Sequence, residues 1–291
     1  MDQIRLKPLA KINLGLNVVG LRDDGYHEVR MVMQSIKLHD ELLMEKQAEG
    51  VTMKTNLSYL PCDNSNLVIR AIEMIRQEFK IDTGVRVNLK KVIPVAGGMA
   101  GGSTDAASAL YGMNKLFDLG LSGEDLMAYG LKLGADVPFC VMRGTALSEG
   151  IGEILTPLTA PPNCGVLIVK PRASVSTKAV YDAYDALVSP HHPDIDQLIS
   201  GLEKGSWQDI IPGMGNSLEG VTIPMHPIIQ EIKEKMTERG ALISMMSGSG
   251  PTVFGIYEST ADAKKAEAAF RGMPGVQQTA VTSFYNGKGR L

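Results

Sequence analysis

From Ile12 to Val18 apolar residues alternate with Asn13, Gly15 and Asn17, the period-two pattern of a half-buried strand. Asp24-Gly25 follows, two residues that tolerate positive φ, and predicts a hairpin turn. Val29 to Leu38 and the stretch after Glu41 continue as strands. The period then changes: over Leu67 to Phe79, Leu67, Ile69 or Ala71, Ile72 and Ile75 fall on one helical face, with Asn64 or Asn66 as the cap. Val85 to Ile93 returns to a strand that runs into Pro94. Ser103 to Phe117 reads as a helix, and Ser122-Gly-Glu-Asp125 is a capping-box signature for another that ends near Gly134.

Thr156 to Pro162 carries Pro157, Pro161 and Pro162 and is the best linker candidate. Beyond it come a strand (Gly165 to Val169), a helix (Thr177 to Leu187), and helices around Ile195 to Glu203 and Pro227 to Glu238. A strand (Leu242 to Met246), a turn, a strand (Val253 to Tyr257), a helix (Ala261 to Phe270) and a strand (Val276 to Thr282) complete the pattern. Strands and helices are segregated, without regular βα alternation, so the class is α+β and not a doubly wound sheet. The expected division is 1–158 and 159–291, the second part resembling a split βαβ unit with helices inserted. No internal repeat is visible.

Composition removes several alternatives. The 291 residues are 21% charged with a net charge of -3 and no charge block, which argues against disorder and against a protein built to neutralise nucleic-acid phosphates. Cys62, Cys140 and Cys164 are odd in number and far apart, as expected of free thiols in a reducing compartment. Met1 to Lys7 mixes charges without an apolar run and reads as no secretory leader. The longest charge-free stretch, Gly240 to Tyr257, is broken by Ser247-Gly-Ser-Gly-Pro251 and reads as two strands and a turn, not a membrane span. The expectation is a soluble, cytoplasmic protein with no membrane or nucleic-acid partner.

Glycine does not fit so quietly: 31 residues are too many for ordinary turns, and they cluster. Pro94-Val95-Ala96-Gly97-Gly98-Met99-Ala100-Gly101-Gly102-Ser103-Thr104 holds four of them, no charge, and lies between a strand and a helix. Glycines allow close backbone approach, and the helix start offers unpaired N–H groups and the positive dipole end, which together suit a phosphate. Gly97-x-x-x-x-Gly102-Ser103 has the P-loop skeleton without its lysine, and no Gly-x-Gly-x-x-Gly frame fits. Charge neutralisation must therefore come from a metal ion and from side chains elsewhere.

This cluster resembles the second motif of the GHMP kinases, with Met99 in place of a leucine and Ala100 in place of a glycine; Ala100 is accordingly expected at negative φ. Ala10-Lys11-Ile12-Asn13-Leu14 resembles the family's first motif, with Lys11, Asn13 and Asn17 on one strand face by alternation. Ser247-Gly248-Ser249-Gly250-Pro251-Thr252 resembles the third. Together they span nearly the whole chain in family order. Arg22-Asp-Asp-Gly-Tyr-His27, Leu133-Gly-Ala-Asp-Val-Pro-Phe139 and Glu149-Gly-Ile-Gly-Glu153 are similar to the branch that phosphorylates a cytidine-diphosphate-linked methylerythritol.

The resemblance implies a two-domain fold, the first like domain 2 of ribosomal protein S5 and the second ferredoxin-like, acting on a small molecule with ATP and Mg²⁺, as monomer or homodimer. It implies Asp136, expected between a helix end and an apolar strand, as general base with Lys11 as its countercharge. The loop from Pro94 to Thr104 would hold the nucleotide, with Lys91 and Asn66 as further contacts. Asn13, Tyr26, His27, Thr177 and Tyr181 would hold the substrate, an aromatic pair sandwiching the cytosine, while Gly248 and Gly250 line the site from the second domain. Asp105 is expected to be a helix-terminal charge or a water-mediated link to Mg²⁺. The metal ligands stay open. So do two other readings, a different small-molecule member of the family and a silent ligand-sensing relative.

Overall fold

The structure, a computed structural model, describes residues 1–287. In chain order the first half contains β1 (Gln3–Leu6), β2 (Leu9–Leu21), β3 (His27–His39), β4 (Glu41–Gln47), β5 (Val51–Thr55), α1 (Leu67–Glu78), β6 (Gly84–Lys90), α2 (Gly101–Leu116), α3 (Gly123–Leu131), α4 (Val137–Met142), β7 (Thr145–Glu149) and β8 (Ile154–Pro157). The second contains β9 (Gly165–Pro171), α5 (Thr177–Tyr184), α6 (Ile195–Lys204), α7 (Trp207–Ile210), β10 (Gly215–Asn216), α8 (Glu219–Met225), α9 (Ile228–Glu238), β11 (Ile243–Met246), β12 (Val253–Tyr257), α10 (Thr260–Glu267) and β13 (Val276–Thr282).

Three sheets result, with strand orders β1-β4-β6-β5, β10-β2-β3-β7-β8 and β11-β12-β9-β13. The first presents Leu42, Val85, Val87 and Leu89 to α1 and α2. Asn66 caps α1 by accepting a bond from the Val68 N–H, and Ser122 with Asp125 closes a reciprocal capping box on α3. Helix α2 is buried on nearly every side, which its run of Ala, Ser and Gly permits. The third sheet is antiparallel throughout, and its order with helices after β9 and β12 is the split βαβ arrangement. Sheets two and three share a core in which Leu16, Met33 and Phe139 pack with Val169, Tyr184 and Met246. Strand β10 pairs in parallel with β2, so the second half also contributes to the first half's sheet.

Three expectations change. Residues 137–142 form a helix, not a strand; Pro138 lies in the first helical turn, where its fixed φ suits the helix and its missing N–H leaves no bond unmade. Strict alternation along β2 fails because its pairing with β3 shifts between Asn13 and Gly15. One extra residue switches the faces beyond it. Asn17 therefore leaves the face of Lys11 and Asn13 and bonds His192 Nδ1 at 2.7 Å, while Leu16 joins Lys11 in lining the central cleft. Finally, Thr156 and Pro157 of the expected linker belong to β8, an edge strand paired with Leu147 and Ala146 of β7.

Candidate active site

Buried near the start of β2, Lys11 has a side chain that is 6% exposed. Its Nζ donates to Asn13 Oδ1 at 2.9 Å and lies 3.9 Å from Asp136 Oδ2. A solvated sheet face is excluded by that burial. Asp136 is the N-cap residue of α4, but its side chain makes no capping bond, so the carboxylate faces the lysine and the cleft. About a third of it is exposed, enough to meet a ligand. The backbone N–H of Lys11 donates to the Met99 carbonyl at 3.2 Å, tying the strand that carries the lysine to the glycine-rich loop.

That loop has positive φ at every second residue: Ala96 (50°), Gly98 (72°) and Ala100 (54°). Alternating left-handed residues turn successive N–H groups to one side and make a concave anion-binding nest, which here runs into the N-terminus of α2. Ala100 is thus left-handed, against the expectation of negative φ; it is the N-cap residue of α2 and adopts the conformation the turn requires despite its Cβ. The glycines divide by cause. A Cβ on Gly98 would lie 2.1 Å from the Ser247 carbonyl oxygen, so this glycine answers to packing against the 247–252 turn. Ser247 Oγ donates to the Gly98 carbonyl at 2.9 Å and completes the interlock. Gly102 has only Leu67 near a hypothetical Cβ, so it leaves the helix start open to a ligand.

Behind the loop, Lys91 Nζ contacts both Asp40 and Asp105 in the interior. Asp40 also accepts the Ile93 N–H at 2.8 Å, fixing the chain just before Pro94. Burial alone would depress the Lys91 ammonium, but the Asp105 and Asp40 carboxyls hold it above its ordinary value. Burial pushes Asp105 well above the usual carboxylate range, against the pull of Lys91. Among the described residues Asp105 Oδ1 has no hydrogen-bond partner, although the residue is part of the cleft wall.

One cleft of about 940 Å³ joins these groups to the second half. Pro94 through Ser103, Lys91 and Asn66 line it together with Lys11, Asp136, Tyr26, His27, Thr177, Tyr181 and Gly248, the last packed against Gly98 of the loop. His27 Nε2 lies 2.7 Å from Asp185 Oδ1, and its ring centroid lies 4.7 Å from that of Tyr181. Burial raises the Tyr181 phenol above its ordinary value, whereas Tyr26 is 61% exposed on the hairpin. Thr177 Oγ1 bonds Ser249 Oγ at 2.9 Å, linking α5 to the 247–252 turn.

Asn13, Thr104 and Gly250 do not line the cleft. Asn13 instead positions Lys11, Thr104 is fully buried in α2, and Gly250 packs on Met246 and Thr222. Asn66 and Lys91 reach the cleft while their side chains are committed to the α1 cap and the two aspartates. Ser249, inside the third motif, joins the lining, as do Leu60, Pro61, Ser65, Lys178 and Asp182, which were not expected. Their segments show only loop composition or an exposed helix face. Asp40 carried no signal either, because one Asp between two strands reads as a turn residue.

The arrangement can hold an anion at the nest and set a carboxylate with a lysine countercharge, with aromatic and hydroxyl groups, in the same cleft. Two family models match the chain: GHMP kinases N terminal domain over residues 66–144 and GHMP kinases C terminal over residues 198–274. A protein of Lachnospira eligens named 4-diphosphocytidyl-2-C-methyl-D-erythritol kinase is 53% identical over 258 residues, 88% of this chain and 90% of the relative. One of the same name from Lachnoclostridium phytofermentans is 49% identical over 99% of both chains. A crystal structure of 4-(cytidine 5'-diphospho)-2C-methyl-D-erythritol kinase superposes with a TM-score of 0.83 at 31% identity, over 98% of this chain and 100% of that one. Among the described residues no helix is long and apolar enough to cross a membrane. With its two-domain α+β fold, its three motifs around one cleft and these relatives along its whole length, the chain belongs to the GHMP kinase family, as a small-molecule kinase.

Proposed function

We propose that this kinase transfers the γ-phosphoryl of ATP to the 2-hydroxyl of 4-diphosphocytidyl-2-C-methyl-D-erythritol, in the non-mevalonate route to isoprenoid precursors. The observation that carries the reading is the single cleft that joins Lys11 and Asp136 to the glycine nest and the His27–Tyr181 pair. The relatives of that name along the whole chain support the same substrate.

In this reading the N–H groups of residues 96–102 hold the phosphates, and Leu60, Pro61 and Leu67 supply apolar contact for the base of the nucleotide. Asp136 accepts the proton of the attacking hydroxyl as Lys11 stabilises the charge that develops on the transferred group. Asn13 keeps the Lys11 ammonium on that line by accepting its hydrogen bond. Tyr26 and Tyr181 face a cytosine, His27 bonds its edge, and Thr177 and Gly248 meet the diphosphate side.

The described residues contain no group of three or more His, Cys, Asp or Glu side chains able to hold a metal ion alone. Hard oxygen donors do line the cleft, as Mg²⁺ requires: Ser103 at the start of α2 would hold an ion carried on the nucleotide, which leaves Asp136 to act as the base. Bound there, Mg²⁺ supplies charge neutralisation for the phosphates. We further assign the division of the chain to 1–158 and 159–291, place the enzyme in the cytoplasm, and expect a monomer or homodimer.

A coupled ADP-release assay with the cytidine-linked alcohol, beside mevalonate and homoserine, tests the reading. Turnover confined to the cytidine-linked alcohol supports it. Turnover on another acceptor, or on none, overturns it.

A further inference from the structure

Two ring nitrogens make His27 ambiguous as a reader of bases. A neutral imidazole has one donor and one acceptor, and the environment decides which is which. Here the choice is not left to the ligand. Asp185 Oδ1 lies 2.7 Å from His27 Nε2, and a carboxylate only accepts, so Nε2 carries the proton. Nδ1 is then the acceptor, and among the described residues it has no hydrogen-bond partner. The His27 side chain is only 9% exposed and forms part of the cleft wall, whereas Asp185 stands outside the cleft with 40% of its side chain exposed.

The same turn of chain fixes the ring in place. The Asp185 backbone N–H closes α5 on the Tyr181 carbonyl at 3.2 Å, and the Tyr181 ring lies against His27 with an interplanar angle of 37°. One helix end thus supplies both the surface that packs on the imidazole and the carboxylate that sets its tautomer.

We infer that Asp185 is a positioning residue for base specificity: by holding the Nε2–H of His27 it makes Nδ1 an acceptor, which selects a pyrimidine with an amino group at position 4 over one with a carbonyl. Cytosine offers an N–H donor at that edge and uracil an oxygen acceptor. An acceptor facing uracil meets lone pairs, and a site built for one polarity rejects the other because its polar groups stay unpaired. The inference rests on the cytidine-linked reading of the cleft and adds to it a residue that touches no substrate atom.

The test compares kcat/KM for the cytidine-linked and uridine-linked forms of the alcohol in wild type, Asp185→Ala and Asp185→Glu. It is run at about two pH units above the ordinary histidine value, where imidazoles are neutral. Nitrogen-15 NMR of the histidine rings in the same proteins reports the His27 tautomer. The expected result is a cytidine-to-uridine ratio that falls about tenfold or more in Asp185→Ala and returns in Asp185→Glu. The spectra should move from the Nε2–H tautomer to a mixture and back. An Asp185→Ala protein that keeps the wild-type ratio, or loses both substrates in equal proportion, overturns the inference, as does an Nδ1–H tautomer in wild type. A wild type that phosphorylates no cytidine-linked alcohol at all sinks the functional reading instead, and the spectra distinguish that case.

Discussion

Asp105 Oδ2 lies 2.6 Å from Lys91 Nζ, and both side chains are 4% exposed. Lys91 is also the only cation that Asp40 contacts among the described residues, so one ammonium compensates two buried carboxyls. Breaking a buried pair by removing one partner typically costs about 3–5 kcal/mol, because the remaining charge has neither water nor a counterion. Lys91→Met should therefore lower the urea midpoint strongly, while Asp105→Asn, which removes one of the two carboxylates, should cost much less. Equal midpoints for the two variants would contradict this account.

Asp136→Asn keeps the shape of the side chain and removes its ability to take a proton. We expect kcat to fall by about 10²–10⁴-fold, the usual contribution of a positioned base, with the melting temperature near that of wild type. Lys11→Ala should reduce kcat as severely. Either variant retaining near-normal kcat in the ADP-release assay would remove that residue from the mechanism.

Gly98→Ala combines a left-handed backbone with a Cβ placed 2.1 Å from a carbonyl oxygen. The backbone penalty alone is about 1–2 kcal/mol, and the clash adds to it. ATP affinity should drop with stability, since the loop must retreat from the 247–252 turn. Gly102→Ala, where a Cβ meets only Leu67 at 3.7 Å, should leave stability close to wild type while weakening ATP. Calorimetric titration and thermal melts separate the two patterns.

Glu267 at the end of α10 accepts bonds from Lys264, Arg271 and Thr279. Burial would raise its carboxyl, but Lys264 and Thr279 outweigh burial and hold it below the usual glutamate value. A depressed folded value means the stabilisation is fully present above the unfolded value of about 4.5 and disappears as pH falls through the folded one. Glu267→Gln should cost about 1–3 kcal/mol near pH 7 and progressively less below pH 4.5. A difference in denaturation midpoint that stays constant with pH would disprove the linkage.

Much of the cleft was legible because its chemistry sits in local patterns. Strand periodicity put Lys11 and Asn13 side by side, and the glycine run lay between a strand and a helix. What was missed depends on long-range contacts. The bulge that sends Asn17 to His192 is set by pairing with β3, whereas the left-handed Ala100 is a local matter, set by the turn into α2. Pro138 could end a strand or open a helix, and only the surrounding helices decide between them. The Asp40–Lys91–Asp105 cluster joins residues 51 and 14 positions apart, with no spacing to announce it.

The interlock of Gly98 with Ser247 joins segments 149 residues apart. It makes the nest a product of assembly order. A chain still emerging from synthesis can form α1, α2 and their sheet, but the loop between Ile93 and α2 lacks the surface that shapes it until the last third of the polypeptide has folded back. Competence to bind nucleotide should therefore arrive late and all at once, as a property of the finished chain and not of the segment that carries the motif.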